Sequence, residues 1–297
     1  AGSKLDITLA ADHGSITIGT LEGITFTEST SNGAHTVSFE GNSSAVNAAL
    51  ASVSYHGDQD YTGADTLTVT TGDKGNSGSG GTLEDSHEIA LTVTAVNDAP
   101  ILDVTTSLDL NEDTTLSFAD EISVSDLDAL DTDVFEVTLN VSYGTLTIDA
   151  SLSTIEFTTG DGTGDRMIVF TAAKADVNAA FAALEYTPDE HFNGTDVLNI
   201  EVSDEGHTGD GGTLTDYASM TLNIAAINDA PIITLPSAQT IDEDAPLAIT
   251  GISFADVDVA ETSGGKLEVV LSASHGRLSL AQDTGLTFSA GDGSDNI

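Results

Sequence analysis

The chain has 297 residues, room for about two domains of roughly 150 residues each, and 39% of them are hydrophobic, a globular rather than a disordered proportion. Against 49 acidic residues stand only 6 lysines and arginines, a formal net charge of -43, so phosphate backbones and anionic lipid are repelled and cations are the natural partners. There are no cysteines, which leaves core packing and bound ions to stabilise the fold, and no apolar run approaches the ~18 residues of a membrane-spanning helix.

In chain order, Leu5, Ile7 and Leu9 alternate with polar neighbours, and residues 15–18 resume the alternation after a turn at His13 and Gly14, the pattern of a hairpin. Further strands are expected at 24–27, 36–39, 52–55, 65–71 and 87–96. Between 44 and 53 the period changes: Val46, Ala49, Leu50 and Val53 make the stripe of a short amphipathic helix, and Val177, Ala180, Phe181 and Leu184 repeat it. The hairpin grammar returns at 135–148 around the turn 142–144. Gly, Asn, Asp and Ser fill the connections. Many short strands, regular turns and one short helix per repeat predict an all-β fold of tandem antiparallel sandwiches with Greek-key connections.

The boundary words are AlaValAsnAspAlaPro (95–100) and AlaIleAsnAspAlaPro (226–231), and Asp229 follows Asp98 by 131 residues. The same offset lays 44–55 on 175–186, AsnGluAspThr (111–114) on AspGluAspAla (242–245), and GlyAspGly (160–162) on GlyAspGly (291–293). A fixed period of this kind marks an array. We expect repeat 1 over 1–97, entered in mid-repeat, a complete repeat 2 over 98–228, and repeat 3 over 229–297, left in mid-repeat, the whole being a window cut from something longer. The residue before each proline is pushed to extended geometry, which makes the connectors at Pro100 and Pro231 short and stiff.

Acids that recur in the following repeat separate from acids that do not. Asp73 recurs as Asp204, Asn97 as Asn228, Asp98 as Asp229, Glu112 as Glu243, Asp126 as Asp256 and Asp128 as Asp258. In chain order these twelve cluster at the ends, connectors and openings of repeats, and their oxygens are the set that a hard cation such as Ca²⁺ takes, six to eight at a time. Along extended backbone the carboxylates of Asp126 and Asp128 would point to one side. Without metal, two like charges about 4 Å apart cost on the order of 1 kcal/mol in water and about 4 kcal/mol at an effective dielectric of 20. Asp58 and Asp65 also recur, as Asp189 and Asp196. Whether Asp58, Asp189, Asp161 and Asp165 join in metal binding is left open by the spacing.

ValAsnAspAlaPro (96–100), SerAspLeuAspAla (125–129), AlaAspValAspVal (255–259) and the placement of Glu112 and Glu243 resemble the linker, Asp-x-Asp and opening glutamate of cadherin repeats. The stretch 186–206 is similar to the bacterial cadherin-like repeats of giant RTX-type, type I secreted surface adhesins. The resemblance covers essentially the whole chain. It implies immunoglobulin-like sandwiches, calcium at the junctions, a secreted or cell-surface location and a stalk that holds an adhesive tip away from the cell. The chain departs from cadherins in its longer repeat and in lacking LeuAspArgGlu. A second reading is that the repeats themselves adhere, to like chains or to glycans. Catalytic motifs such as His-Glu-x-x-His and Gly-x-Ser-x-Gly are absent, so no enzymatic activity is expected.

Overall fold

Alternating burial along the first strand puts Ile7 and Leu9 in the interior and Thr8 on the outside, as a period of two requires. The computed structural model describes residues 4–27, 30–75, 79–148, 154–206, 209–261 and 263–289, and it divides into two compact units, Ala1–Ala225 and Ala226–Ile297. Residues 291–293, one copy of GlyAspGly, lie outside the described residues.

The first unit contains two separate hydrophobic cores. Around the first lie β1 (Leu5–Ala10), β2 (Gly14–Ile18), β3 (Ile24–Phe26), β4 (Thr36–Gly41), helix α1 (Ser43–Leu50), β5 (Val53–Gly57), β6 (Gly63–Gly72) and β7 (Glu84–Val93). One sheet runs β3-β4-β1-β6-β7, and β2 pairs with β5 across the core. Asn42 caps α1 by accepting the Ala45 N–H at 2.9 Å, and Val46 and Ala49 turn inward as the stripe predicts.

The second core is enclosed by β8 (Ile101–Val104), β9 (Ser107–Asn111), β10 (Leu116–Ser117), β11 (Ile122–Ser125), β12 (Val134–Asn140), β13 (Gly144–Ile148), β14 (Glu156–Thr159), β15 (Thr163–Asp165), β16 (Met167–Ala173), α2 (Lys174–Ala182), β17 (Leu184–Pro188), β18 (Gly194–Ser203) and β19 (Thr215–Ala225). Two layers face each other: β14-β16-β12-β18-β19-β9 and β10-β17-β13-β15. Phe135, Val137 and Leu139 of one layer meet Leu146, Ile148 and Tyr186 of the other. The ladders are antiparallel except β9 on β19, which pairs in parallel from Thr221–Ser107 to Ala225–Asn111. The sequence pattern did not distinguish that strand direction.

The second unit shows one short ladder, β20 (Ile232–Thr234) with β21 (Ser253–Ala255), and the single-turn helix α3 (Val257–Glu261). Ile232, Ile233 and Phe254 are exposed. The segments that supply β16 to β19 in repeat 2 have no counterpart within 229–297, so a second layer over this ladder is absent among the described residues. Nor is any described helix long and apolar enough to cross a membrane.

One device recurs at the same place in both cores. Asp196, buried, accepts the N–H groups of Ser142, Tyr143 and Val197 and the Tyr186 hydroxyl at 2.8–3.0 Å. Asp65 accepts Asp12, His13 and Thr66 N–H and the Tyr55 hydroxyl at 2.7–3.2 Å. Each tyrosine lies flat on a glycine: a Cβ on Gly14 would meet the Tyr55 ring at 2.4 Å, and one on Gly144 the Tyr186 ring at 2.4 Å. Burial alone would raise the Asp65 carboxyl, but the bonds from Tyr55 and from the Thr66, Asp12 and His13 amides outweigh it and hold it at about 2. The stability from Asp65 is therefore complete above the ordinary carboxylate range and is lost as pH falls toward about 2. Gly144→Ala forces the ring away and is expected to destabilise repeat 2 by about 1–3 kcal/mol. Thermal unfolding at neutral pH checks this; a melt equal to that of the parent chain would show that the close approach is not required.

Candidate metal centre

The connector between the two cores is tied to the second of them by backbone and side chain together. Asp210 N–H donates to Ala95 O at 3.0 Å and Asn97 N–H to Asp210 O at 3.1 Å. The Asn97 amide nitrogen then donates to Asp204 Oδ2 at 2.5 Å and Gly212 O at 2.9 Å, and both side chains are buried. Asp204 closes the β18–β19 loop as well, its Oδ1 accepting the Gly206 and Leu214 N–H groups at 2.8 Å.

One residue further on, Asp98 N–H donates to Asp128 Oδ2 at 2.5 Å. Asp126 Oδ1 accepts the Asp128 and Ala129 N–H groups at 3.0 and 2.8 Å. The Asp-x-Asp pair was expected on extended backbone. It instead lies just past the end of β11, in a turn, because an aspartate side chain can bond the backbone two and three residues on and so competes with the ladder. Leu127, between the two, points to solvent.

Two observations mark this turn as a place for positive charge. Asp126 Oδ2 is buried and has no hydrogen-bond partner among the described residues. The Asp98 carboxyl is pushed above its ordinary range, first by burial and then by the charges of Asp128, Asp60 and Asp126. Asp60 comes from the β5–β6 loop of repeat 1, so both repeats contribute carboxylates. The residues fit a hard divalent cation: all donors are oxygens, and one of them is buried without a proton donor.

The second unit repeats part of this geometry. Asp229 N–H donates to Asp258 Oδ2 at 2.6 Å, and Asp256 Oδ1 accepts Val259 N–H at 2.9 Å. Asn228 donates to the Asp229 carbonyl at 3.0 Å, and Glu243 is exposed.

Chain order and spatial order then diverge. Asp73 does not join Asp98. It accepts the Gly75 and Leu83 N–H groups at 2.8 Å at the far end of β6 and β7 from the connector, and the Leu83 and Gly75 bonds hold its carboxyl low. Glu112, buried, donates its N–H to Ala225 O at 3.0 Å. Asp204 precedes the start of β19 and Ala225 ends it, so Glu112 and the Asp98 cluster lie at opposite ends of repeat 2, about 33 Å apart at ~3.3 Å per strand residue. The carboxylates that act on Asp98 are thus Asp60, Asp126 and Asp128, while Asp204 is bonded to the neighbouring Asn97.

The open cases also receive positions. Both oxygens of Asp189 accept from Arg166 Nη2, at 2.9 and 2.7 Å, and Asp58 stands 3.4 Å from His35. Asp165 accepts the Asp161 and Gly162 N–H groups at 2.9 Å, and Asp161 accepts Thr163 N–H at 3.0 Å, a self-satisfied turn.

Two residues that support the turn were not singled out from sequence. Asn178 on α2 accepts Val124 N–H at 2.9 Å and donates to Val124 O at 3.0 Å, holding β11 just before Asp126. Its recurrence as Asn47 inside an alanine-rich helix was the available signal. Lys174, largely buried, donates to the Ala129 carbonyl.

With this geometry in hand, the known proteins compare as follows. The family model described as Protein GAMETE EXPRESSED 2 domain matches residues 3–79. Among curated proteins, none matches the chain. Solved structures similar to it include human CDH23 EC21-23 (16% identity, 86% of this chain, 69% of that one, TM-score 0.36) and mouse Cadherin-23 EC22-24 (13%, 84% and 65%, TM-score 0.36). The C-terminal domain of the Streptococcus pyogenes antigen I/II-family protein AspA is similar at 7% identity over 74% of this chain and 84% of that one, with a TM-score of 0.24.

Because ionised Asp98 disfavours the folded joint, stability in chelator is expected to rise as pH falls from its raised value toward the ordinary ~3.9. Asp98→Asn should raise the melting temperature of metal-free protein at pH 7 and flatten that rise. A lower melting temperature for the metal-free variant would contradict the charge account.

Proposed function

We propose that the chain is a run of spacer repeats from a large extracellular surface protein of adhesin type, stiffened by calcium at the joints between repeats and without enzymatic activity. The boundaries at 97/98 and 228/229 define the repeats in this reading. The observation that carries it is the unpartnered buried oxygen of Asp126 beside Asp98, whose carboxyl is raised first by burial and then by Asp128, Asp60 and Asp126. Calcium supplies the missing positive charge, and Asp60, Asn97, Asp98, Asp126, Asp128 and Asp204 would hold it. Asn228, Asp229, Asp256 and Asp258 form the equivalent set one period on. Asp73, Glu112 and Glu243 belong in this reading to the joints at the other ends of their repeats.

Extracellular modules bind calcium with dissociation constants of roughly 10⁻⁴ to 10⁻³ M, so such joints are soft in the cytosol and stiff outside. At calcium a hundredfold above its dissociation constant, linkage stabilises the folded form by about 2.7 kcal/mol. The expected result is a calcium-dependent rise in melting temperature and a narrower ensemble in small-angle scattering. Asp98→Asn reverses sign between conditions: stabilising in chelator, destabilising in calcium because a ligand is lost. Profiles that do not change between calcium and excess chelator would falsify the reading.

A further inference from the structure

The outward face of β12, β18 and β19 is a shallow cavity of about 390 Å³ that no part of the spacer reading uses. Six side chains form its grid. Thr138 and Asn140 stand on β12, Glu201 and Asn199 opposite them on β18, and Tyr217 and Ser219 opposite those on β19. The inward residues between them, among them Leu139, Ile200 and Met220, belong to the core, so the grid is carried on a packed support.

Its chemistry is that of a site for a neutral sugar. Tyr217 leaves 66% of its surface in solvent, and its hydroxyl donates to Glu201 Oε1 at 2.9 Å, so the ring is held in place while its surface remains accessible. Asn199 donates to Asn140 Oδ1 at 3.1 Å. That bond leaves the Asn140 amide N–H groups and Asn199 Oδ1 unused, a donor and an acceptor on paired residues, the match for two adjacent hydroxyl groups. Glu201 keeps its second oxygen as a further acceptor. Fixed polar groups beside an aromatic ring are how concave sites orient small ligands. The net charge of -43 works against anionic saccharides.

The comparison with repeat 1 separates this face from ordinary sheet surface. At the equivalent positions stand Thr8, Ala10, Thr68, Thr70, Ser86 and Glu88. There Thr8 pairs with Ser38 and Thr70 with Ser86 at 2.9 Å, hydroxyl to hydroxyl. The strands and their register persist between the repeats, while the outward grid of repeat 2 alone acquires an aromatic ring and two amides.

We propose that this face of repeat 2 binds neutral oligosaccharide, the sugar ring stacking on Tyr217 and its hydroxyls bonding to Asn140, Asn199 and Glu201. The test is saturation-transfer NMR on the full 297-residue chain, with cellotriose, maltotriose and galactotriose as probes and 3′-sialyllactose as the anionic comparison. We expect transfer to at least one neutral trisaccharide, with a dissociation constant on the order of 1 mM and weaker transfer to the sialylated one. Tyr217→Ala should weaken binding about tenfold or more, while Tyr217→Phe, which keeps the ring, retains most of it. The variant positions are exposed, so backbone spectra should stay superimposable away from the site. Absence of transfer to all three neutral probes, or transfer that survives Tyr217→Ala unchanged, overturns the proposal. Because neither probe nor variant touches the joint, a failure here is distinguishable from a failure of calcium stiffening.

Discussion

Carboxylates from two repeats are brought together at the joint after Val96, and the cation nearest the turn, Lys174, spends its bond on the Ala129 carbonyl. Backbone N–H groups take one oxygen each of Asp126 and Asp128, and Asn97 takes one of Asp204. The bonds fix where the carboxylates stand without cancelling their charge. The geometry of the connector is therefore specified by N–H bonds to these carboxylates, and in the proposed function its stability depends on an ion from solution. This separation is what makes such a joint responsive to its surroundings.

The same residue type plays a different part elsewhere in the two cores, and the partners tell the two apart. Asp196 and Asp65 are saturated by three N–H groups and a tyrosine hydroxyl. Burial and the Asp65 bond also push the Tyr55 hydroxyl up, to about 12. Asp189 has its cation supplied internally by Arg166. These carboxylates need nothing further, and they hold turns. At the joint, by contrast, one buried carboxylate oxygen, Asp126 Oδ2, has no hydrogen-bond partner among the described residues. In a chain so rich in acids, counting them could not make this distinction.

The repeat also shows which surfaces are free to change. Core positions and the Tyr-on-Gly contact recur because each is fixed by packing or by a buried polar group. Outward grid positions on the sheets are held only by cross-strand pairs of modest energy. That freedom allows one repeat to acquire a chemistry its neighbour lacks without disturbing the fold they share.

What the sequence by itself determined was local and periodic. Alternation gave the strands of both cores to within a few residues, the three-and-four spacing gave α1 and α2, and the 131-residue offset gave the paired acids. These succeed because side-chain direction along strand and helix follows backbone geometry alone. Tertiary structure decided which acids meet. Asp73 precedes Asp98 in the chain, yet Asp204, more than a hundred residues later, is the carboxylate joined to the connector. The reason is that antiparallel strands return the chain to the same end of the sandwich after every second traverse, so ends separated by two traverses become neighbours while those separated by one do not. The turn at Asp126–Asp128 and the parallel docking of β9 belong to the same class. Each is settled by competition between backbone partners that only the assembled layers bring within reach.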